Sequence, residues 1–243
     1  MICAKRQAQK QILLVYALRS LANFDLRNRA APVFLRHMTY ALQRLLKEIR
    51  SCTVCESELP YMPRPVLVAD PRAVILIAGQ APGRKVHETG IPWNDASGDR
   101  LRDWLGLERE EFYDRSKIAI VPMGFCFPGT GPSGDYPPRP ECRRTWHERL
   151  LPLLRNIKLR IIVGSYAQSF HLPHQGQTTL TQTVAIWRQF APECFPLPHP
   201  SPRNQLWLRR NPWFERDVLP QLRVAVQQIL SACERERRAL HRY

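Results

Sequence analysis

Uniformly apolar runs alternate with amphipathic segments through the central and C-terminal parts of the chain. Four runs are almost entirely apolar, at residues 73–78, 117–123, 159–164 and 194–198. Strands of a parallel sheet have this composition, because helices cover both faces of the sheet and leave neither face in water. The pattern therefore predicts an α/β fold with a parallel sheet between two layers of helices.

Between and around these runs, apolar residues recur with the spacing of amphipathic helices. Ser97 has a side chain suited to an N-cap, and Pro140 suits the first turn of a helix. Pro220 lies inside the last helical segment and is a predicted break. The predicted helices span residues 36–50, 97–107, 140–156, 165–172, 179–190 and 212–238.

The N-terminal part of the chain has no recognisable motif. Residues 1–35 are predicted to be an extension, and residues 36–243 a single domain. No run of about 18 apolar residues occurs, so we expect no transmembrane helix and no membrane partner. The first residues include a short apolar run without a small-residue cleavage site. This argues against a secretory signal and leaves a transit peptide as an open alternative.

Charge and cysteine content narrow the possible partners and compartments. The chain has 36 Lys and Arg residues against 21 Asp and Glu, a formal net charge of +15. A surface this basic favours a polyanionic partner, most often nucleic acid, although basic residues can also serve solubility alone. Seven cysteines are an odd set that fits a reducing compartment, with metal ligands or free thiols rather than disulfides.

Four loops, each containing glycine or proline, follow the four predicted strands. They cover residues 79–83, 122–129, 164–168 and 199–204. Ligands of open α/β sheets bind at the carboxyl ends of the strands, so the four loops are predicted to converge on one site. His199 lies there between two prolines, which stiffen the backbone around it. It is either a preorganised catalytic group or an incidental residue of a rigid turn.

The sequences GQAPG (79–83) and HPSP (199–202) together resemble the uracil-DNA glycosylase superfamily. The likeness covers about residues 45–225 and is greatest for the iron–sulfur, family 4 branch. It implies a three-layer α-β-α sandwich with a central four-stranded parallel sheet. It also implies an enzyme that hydrolyses the N-glycosidic bond of a damaged base in DNA. Further residues at spacings similar to that branch are Gly90, Pro92, Trp93, Gly98 and Leu101.

The resemblance also implies roles for single residues. The site of such an enzyme must offer a flipped base an aromatic face to stack on and a group that recognises its edge. It must also offer a hydrogen-bond donor for the negative charge that develops as the base departs. Trp93 is the predicted face, with a core tryptophan as the alternative, and His199 is the predicted donor. The backbone N–H groups of Gln80 and Ala81 are predicted to hold a base oxygen. Arg203 stands where another branch has a wedging leucine. The remaining predicted substrate-binding residues are Gly79, Pro82, Gly83, Asn94, Ser201 and Pro202.

Two features depart from the superfamily pattern. The water-activating acid is missing, because Gln80 and Ala81 occupy the positions where different branches carry it. Glutamine can orient a water but cannot take its proton. Asp95 is the first choice as a replacement base, with a loop-capping role as its alternative, and His87 is another candidate. Pro122 stands where an asparagine normally reads uracil, so the identity of the base stays open.

Four cysteines resemble a cluster-binding set. Cys52 and Cys55 form a CxxC pair, and Cys126 and Cys142 follow with 15 residues between them. This order and spacing resemble the ligands of the family 4 branch. Four thiolates suit a [4Fe–4S] cluster or, alternatively, a structural zinc. Ordinary core cysteines are the other reading. A cluster here is predicted to be structural and close to the DNA.

The sequence thus predicts a hydrolase of base-excision repair that removes uracil or another deaminated base from DNA. We expect a cytoplasmic, nucleoid-associated monomer whose partner is DNA with a flipped base. One alternative is a non-catalytic or covalently trapping binder of damaged or single-stranded DNA on the same fold. Another is a cluster-bearing redox or regulatory DNA protein. The predicted phosphate contacts are Arg84, Lys85, Arg139, Arg143, Arg144, Arg203, Arg209 and Arg210.

Overall fold

The computed structural model describes residues 33–132, 134–172 and 179–240. The chain divides into two units, Met1–Ala41 and Leu42–Tyr243, and the sheet belongs to the second. Most of the predicted N-terminal extension, residues 1–35, lies outside the described residues, so the extension stays a prediction. No helix in these ranges is both long and apolar enough to cross a membrane.

The described strands are β1 (Ile75–Ala78), β2 (Ile118–Ile120), β3 (Thr130–Gly131), β4 (Gly134–Asp135), β5 (Leu159–Val163) and β6 (Cys194–Leu197). The four predicted strands form one sheet in the order β2-β1-β5-β6. Every neighbouring pair in it is parallel, as predicted. β3 and β4 form a separate antiparallel hairpin after β2, which the sequence pattern did not predict.

The two faces of the sheet pack against different helices. Ile75 and Ile77 of β1 face a core that they share with Leu222 of the C-terminal helix. Leu76, between them, faces a second core with Leu46 of the first helix. This alternation follows from the two-residue period of a strand. Helices therefore cover both faces, and the predicted three-layer α-β-α architecture with a four-stranded parallel sheet is confirmed.

Ten α-helical segments surround the sheet within the described ranges. Three short helices, Arg84–Thr89, Arg109–Phe112 and Gln205–Arg210, were not predicted. The segments are α1 (Val33–Arg50), α2 (Arg84–Thr89), α3 (Ala96–Leu105), α4 (Arg109–Phe112), α5 (Pro140–Cys142), α6 (Glu148–Leu150), α7 (Ser165–His171), α8 (Leu180–Ala185), α9 (Gln205–Arg210) and α10 (Leu219–Leu240).

Helix α3 begins earlier than predicted, because its N-cap is Asp95 and not Ser97. The Asp95 Oδ1 atom accepts the backbone N–H of Gly98 at 2.8 Å. An aspartate at this position satisfies one of the N–H groups that the first helical turn leaves without a partner. The capping role considered as an alternative for Asp95 is therefore real, and it engages one of the two carboxylate oxygens.

The segment predicted as one helix over 140–156 is irregular. After α5, Arg143–His147 form a π turn, and after α6, Leu151–Leu153 form a 3₁₀ turn. Pro152 has no N–H to donate, and the regular hydrogen-bond pattern ends there. The π turn carries the buried His147, whose ring nitrogens lie 3.1 Å from the Pro122 carbonyl and 3.3 Å from the Cys142 carbonyl.

The predicted break at Pro220 is wrong. A π turn over Phe214–Val218 leads directly into α10, which continues through Pro220. Pro220 is the second residue of α10, close to the change from π to α hydrogen bonding. A residue without an N–H is tolerated near a helix start, because donors of the first turn have no partner within the helix.

Candidate active site

A cavity of about 420 Å³ opens at the carboxyl end of β1. All five residues of GQAPG (79–83) line it, as do Trp93, Asp95, His199 and three further residues of the loop after β6. Those three are Ser201, Arg203 and Asn204. Three of the four predicted loops therefore meet here, since Pro122 of the loop after β2 also lines the cavity.

The loop after β5, residues 164–168, was wrongly expected in the cavity, because none of its residues lines it. Instead it supports the strand that carries His199. The Gln168 Nε2 atom donates a hydrogen bond to the Leu197 carbonyl at 2.9 Å. The N–H of Gly164 donates to the same carbonyl at 2.9 Å. This loop thus fixes the position of the end of β6 through two hydrogen bonds to Leu197, without lining the cavity.

His199 is held in one tautomer by its own loop. Its Nδ1 atom accepts the backbone N–H of Ser201 at 3.2 Å, so the neutral ring carries its proton on Nε2. Burial lowers the pKa of His199, and the nearby carboxylates of Asp95 and Asp135 oppose that shift. The side-chain amide of Asn204 donates to the His199 carbonyl at 2.7 Å. His199 is therefore a rigidly placed, neutral hydrogen-bond donor at neutral pH.

Trp93 lies next to His199 in a strained backbone conformation. Its φ of 55° is left-handed, which is rare for a bulky residue and occurs mainly where the surroundings enforce it. A carbon added at Gly79 would lie 2.9 Å from the indole Cζ2, and one added at Gly98 would overlap the Trp93 carbonyl oxygen. Arg102 donates to that oxygen at 3.4 Å. The Trp93 and His199 ring centroids are 5.5 Å apart.

Two carboxylates approach the start of α2. A carbon added at Gly83 would lie 3.4 Å from Asp135 Oδ2 and 3.9 Å from Asp95 Oδ2. Asp135 lines the cavity from the hairpin, and its Oδ1 atom accepts the hydroxyl of Thr130 at 2.8 Å. Asp135 was not predicted from the sequence. It lies in a glycine-rich stretch without periodicity, where no local signal marks it as part of the site.

Gln80 connects the motif to the hairpin and to the loop after β2. Its Nε2 atom donates to the Tyr136 carbonyl at 3.4 Å, and its own carbonyl accepts the N–H of Gly124 at 2.9 Å. Pro122 forms part of an apolar wall together with Val66. Proline offers no side-chain donor or acceptor, so this wall cannot read the edge of a base.

Three predicted site residues do not line the cavity. The Asn94 Oδ1 atom accepts a hydrogen bond from Arg109 at 3.0 Å. The His87 ring centroid lies 5.4 Å from that of Tyr61, and burial lowers the pKa of His87. The His87 Nδ1 atom is buried without a hydrogen-bond partner among the described residues. Pro202 lies in the loop between the lining residues on either side of it. The roles of these three residues stay predictions.

Comparisons with known proteins agree with this arrangement. A family model described as the uracil DNA glycosylase superfamily matches residues 66–223, which is more than half of the chain. The chain belongs to the uracil-DNA glycosylase superfamily. A type-4 uracil-DNA glycosylase from Archaeoglobus fulgidus is 28% identical over 138 residues, which cover 54% of this chain and 63% of that protein. The match thus spans less than two thirds of that relative.

Both parts of the stated resemblance, to the superfamily and to its family 4 branch, are confirmed by these matches. The basic residues of this superfamily member are placed in different ways. Arg203 lines the cavity, whereas Arg139 forms ion pairs with Glu58 and Glu141. The predicted phosphate contacts are therefore not equivalent, and among them Arg203 is the one that lines the cavity.

The four predicted cluster cysteines come together in this superfamily member. Cys52, Cys55, Cys126 and Cys142 line one small cavity whose other walls are largely apolar. Burial raises the pKa of Cys126 to about 12 and that of Cys142 to about 11. Thiols buried this way gain from binding a metal, which takes the negative charge that burial disfavours. The donor set therefore fits a group bound by four thiolates.

The cysteine arrangement as described is not itself a metal site. Within the described ranges, no group of three or more His, Cys, Asp or Glu side chains is placed to hold a metal ion. A single tetrahedral zinc needs its sulfur ligands about 3.8 Å apart, because each Zn–S bond is about 2.3 Å long.

Proposed function

We propose that this protein hydrolyses the N-glycosidic bond of uracil or another deaminated base in DNA and leaves an abasic site. One observation carries the proposal. A neutral histidine, fixed in one tautomer by the Ser201 N–H, lines a cavity of about 420 Å³ beside Trp93. A histidine held this way can stabilise negative charge on a departing base without reorganising.

The proposed mechanism begins with a base flipped out of the DNA stack into the cavity. Trp93 stacks on the base, and the backbone N–H groups of Gln80 and Ala81 hold one base oxygen. As the glycosidic bond breaks, electrons move onto the base and its oxygen becomes negative. The Nε2–H of His199 donates a hydrogen bond there, which lowers the barrier to departure. The sugar is left as an oxocarbenium-like cation.

Water then attacks the sugar, and the motif residue Gln80 cannot take its proton. The cavity contains two carboxylates that can, Asp95 and Asp135. Asp95 already uses Oδ1 to cap α3, and Asp135 uses Oδ1 for the Thr130 hydroxyl. We assign the water to Asp135, because its Oδ2 would lie 3.4 Å from a carbon added at Gly83, against 3.9 Å for the Oδ2 of Asp95. Asp95 stabilises the positive sugar electrostatically.

DNA is the proposed partner, and its phosphates account for the net charge of +15. We propose that the protein acts as a monomer in base-excision repair and works beside the genome in the cytoplasm. Arg203, in the loop that carries His199, is the proposed residue that fills the gap left by the flipped base.

We also propose that Cys52, Cys55, Cys126 and Cys142 hold a [4Fe–4S] cluster, with structural zinc as the alternative. Such a cluster would join the segment before β1 to the loop after β2. It would serve as a covalent staple between chain segments that are distant in sequence. No step of the proposed reaction depends on it.

Single-turnover cleavage tests the proposed function. The full chain, purified without oxygen, is incubated with end-labelled oligonucleotides that contain uracil, hypoxanthine or xanthine, and alkali then breaks any abasic sites. His199→Ala should slow cleavage by about 10²–10³-fold while DNA binding is retained. His87→Gln changes a histidine that does not line the cavity and should cleave at the wild-type rate, whereas a large loss would instead support the candidate base role of His87.

The second candidate function is a binder on the same fold, which the absence of the motif acid favours. If the wild type retains lesion DNA tightly but releases no base from any of the three lesions, the protein is a DNA binder and the glycosylase proposal is wrong. A covalent DNA adduct that resists denaturation and is lost in His199→Ala would identify the trapping variant of that function.

A further inference from the structure

Tyr136 directly follows the cavity-lining Asp135 and remains 52% exposed. Its position does not depend on its own side chain, because its carbonyl accepts the hydrogen bond from Gln80 at 3.4 Å and its N–H donates to the Gly129 carbonyl at 2.9 Å. The hydrogen bond from Gln80 to the Tyr136 backbone therefore holds this residue at the edge of the cavity.

One face of the Tyr136 ring lies against the hairpin backbone. A carbon added at Gly131 would be 2.8 Å from Cε1, 3.1 Å from Cζ and 3.3 Å from Oη. The nearest atoms are two ring carbons and the hydroxyl oxygen, so the added carbon would lie out of the ring plane, beside the hydroxyl end of one face. A carbon added at Gly129 would lie 3.2 Å from Cδ2 of the same ring. Side chains at either glycine would displace the tyrosine.

Tyr136 lies between the cavity and a second groove. On one side, Arg203 borders the hairpin, since its guanidinium approaches Gly134. On the other side, Tyr136 lines an open groove of about 600 Å³ with Pro60, Pro128 and Arg139. Because the Arg139 guanidinium is already paired with Glu58 and Glu141, the groove offers flat surfaces rather than unpaired charge. A planar, uncharged group fits it best.

We propose that Tyr136 is a stacking platform for the nucleobase next to the flipped target, and that this protein prefers a strand that is unpaired on that side. The proposal rests on the proposed function, because the target base in the cavity sets where its neighbour lies. An aromatic ring with one free face can take any base, since every base has a π-face. A base within a duplex is held by its complement and its neighbours, whereas an unpaired base turns onto the ring at little cost.

The test measures binding and needs no base release. Fluorescence anisotropy gives the Kd of a labelled uracil oligonucleotide, single-stranded or in a duplex, for the full chain in the His199→Ala background. Tyr136→Leu should weaken single-strand binding about tenfold and leave duplex binding within about twofold. Tyr136→Phe keeps the ring and should bind like the parent. Tyr166→Leu removes another exposed tyrosine, outside both the cavity and the groove, and should change neither affinity.

A second arm identifies the contacted base. An abasic spacer placed on one side of the uracil should weaken single-strand binding as much as Tyr136→Leu does. Combined with Tyr136→Leu it should add nothing, because both changes remove the same contact.

Equal losses on single strand and duplex, or no loss with Tyr136→Leu, would overturn the platform. Loss with Tyr136→Phe as large as with Tyr136→Leu would also overturn it, because that pattern assigns the effect to the hydroxyl. The proposed function is judged separately, by base release from the wild type. Cleavage at equal rates on single strand and duplex would refute the Tyr136 platform and leave the glycosylase proposal intact. A loss of single-strand affinity in Tyr136→Leu, without base release by the wild type, would refute the glycosylase and leave the platform.

Discussion

The imidazole of His199 accepts the backbone N–H of Ser201 at 3.2 Å. This contact joins two residues of one proline-rich loop, and it determines which ring nitrogen carries the proton. A histidine that is neutral and fixed in this tautomer can donate from Nε2 only. The prolines on either side keep the loop from rearranging when charge develops on the base.

Replacement of Ser201 by proline tests this contact. Ser201 has a φ of −57°, which proline adopts without strain, so Ser201→Pro removes the N–H and little else of the backbone. Loss of one orienting hydrogen bond is worth about 1 kcal/mol, so base release should slow about fivefold to tenfold. Ser201→Ala keeps the N–H and loses only the hydroxyl, which accepts the Arg203 N–H at 3.2 Å and is lost in Ser201→Pro as well, so Ser201→Ala should slow base release less than Ser201→Pro. Single-turnover rates that are equal in the two variants would contradict the proposed role of this N–H.

Asp135 should matter for the reaction and not for DNA binding. Asp135→Asn removes a proton acceptor and a negative charge that faces DNA, so cleavage should slow by about 10²-fold while affinity stays equal or rises. Thr130→Val breaks the hydroxyl contact at 2.8 Å but keeps the carboxylate, and it should change the rate only slightly. If Thr130→Val slows cleavage as much as Asp135→Asn, Asp135 holds the hairpin and does not direct water.

Gly98 should be required for folding. A carbon at this position overlaps the Trp93 carbonyl oxygen, and neither backbone can move without disturbing the start of α3. We expect Gly98→Ala to lower the free energy of unfolding by about 3 kcal/mol or more, as overpacking against backbone does. Gly83→Ala meets its nearest atom at 3.4 Å and should cost about 1 kcal/mol or less. Urea titrations of the two variants make the comparison.

Stability should fall as the pH drops below 6.5, and His171 should account for a large part of the loss. Burial lowers the pKa of His171 from its usual 6.5 to about 4, and its Nε2 is buried without a partner among the described residues. Between these two pKa values the unfolded chain binds a proton that the folded chain does not. The unfolded state is therefore favoured as pH falls, by about 3 kcal/mol at pH 4.

His171→Leu should flatten this dependence, because the variant has no group to protonate at that position. Urea unfolding at several pH values between 7 and 4 measures the slope for both proteins. A variant slope equal to that of the wild type would assign the acid sensitivity to other groups, such as His147, whose pKa burial also lowers.

The cysteine cavity should bind iron. We expect chemical analysis of anaerobically purified protein to find iron and acid-labile sulfide. Cys142→Ser should lose most of both and should unfold at a lower temperature. Cys233→Ala is a matched control, since Cys233 is buried in α10 outside the cavity, and it should keep the iron. Zinc without sulfide in the wild type would select the alternative metal.

Local patterns were sufficient to predict the sheet. β1, β2, β5 and β6 are short apolar runs between polar loops, and strands buried on both faces require nothing else of their sequence. Helix details were less accurate. Asp95 and Ser97 both have capping side chains, and which of them begins α3 depends on where the Trp93 carbonyl and Gly98 meet. A proline in the interior of a regular α-helix breaks it, but Pro220 lies directly after a π turn, and α10 continues through it.

The sequence by itself determined the superfamily, the four-stranded parallel sheet and the loop that carries His199, because each of these is recorded in short runs of consecutive residues, namely two motifs, four apolar segments and one proline-rich loop. Only the tertiary structure decided which side chains line the cavity. It brought in Asp135 from an unpredicted hairpin and left out His87 and Asn94. The physical reason is that a cavity is formed by packing between distant segments, and no local periodicity records which side chains will meet there.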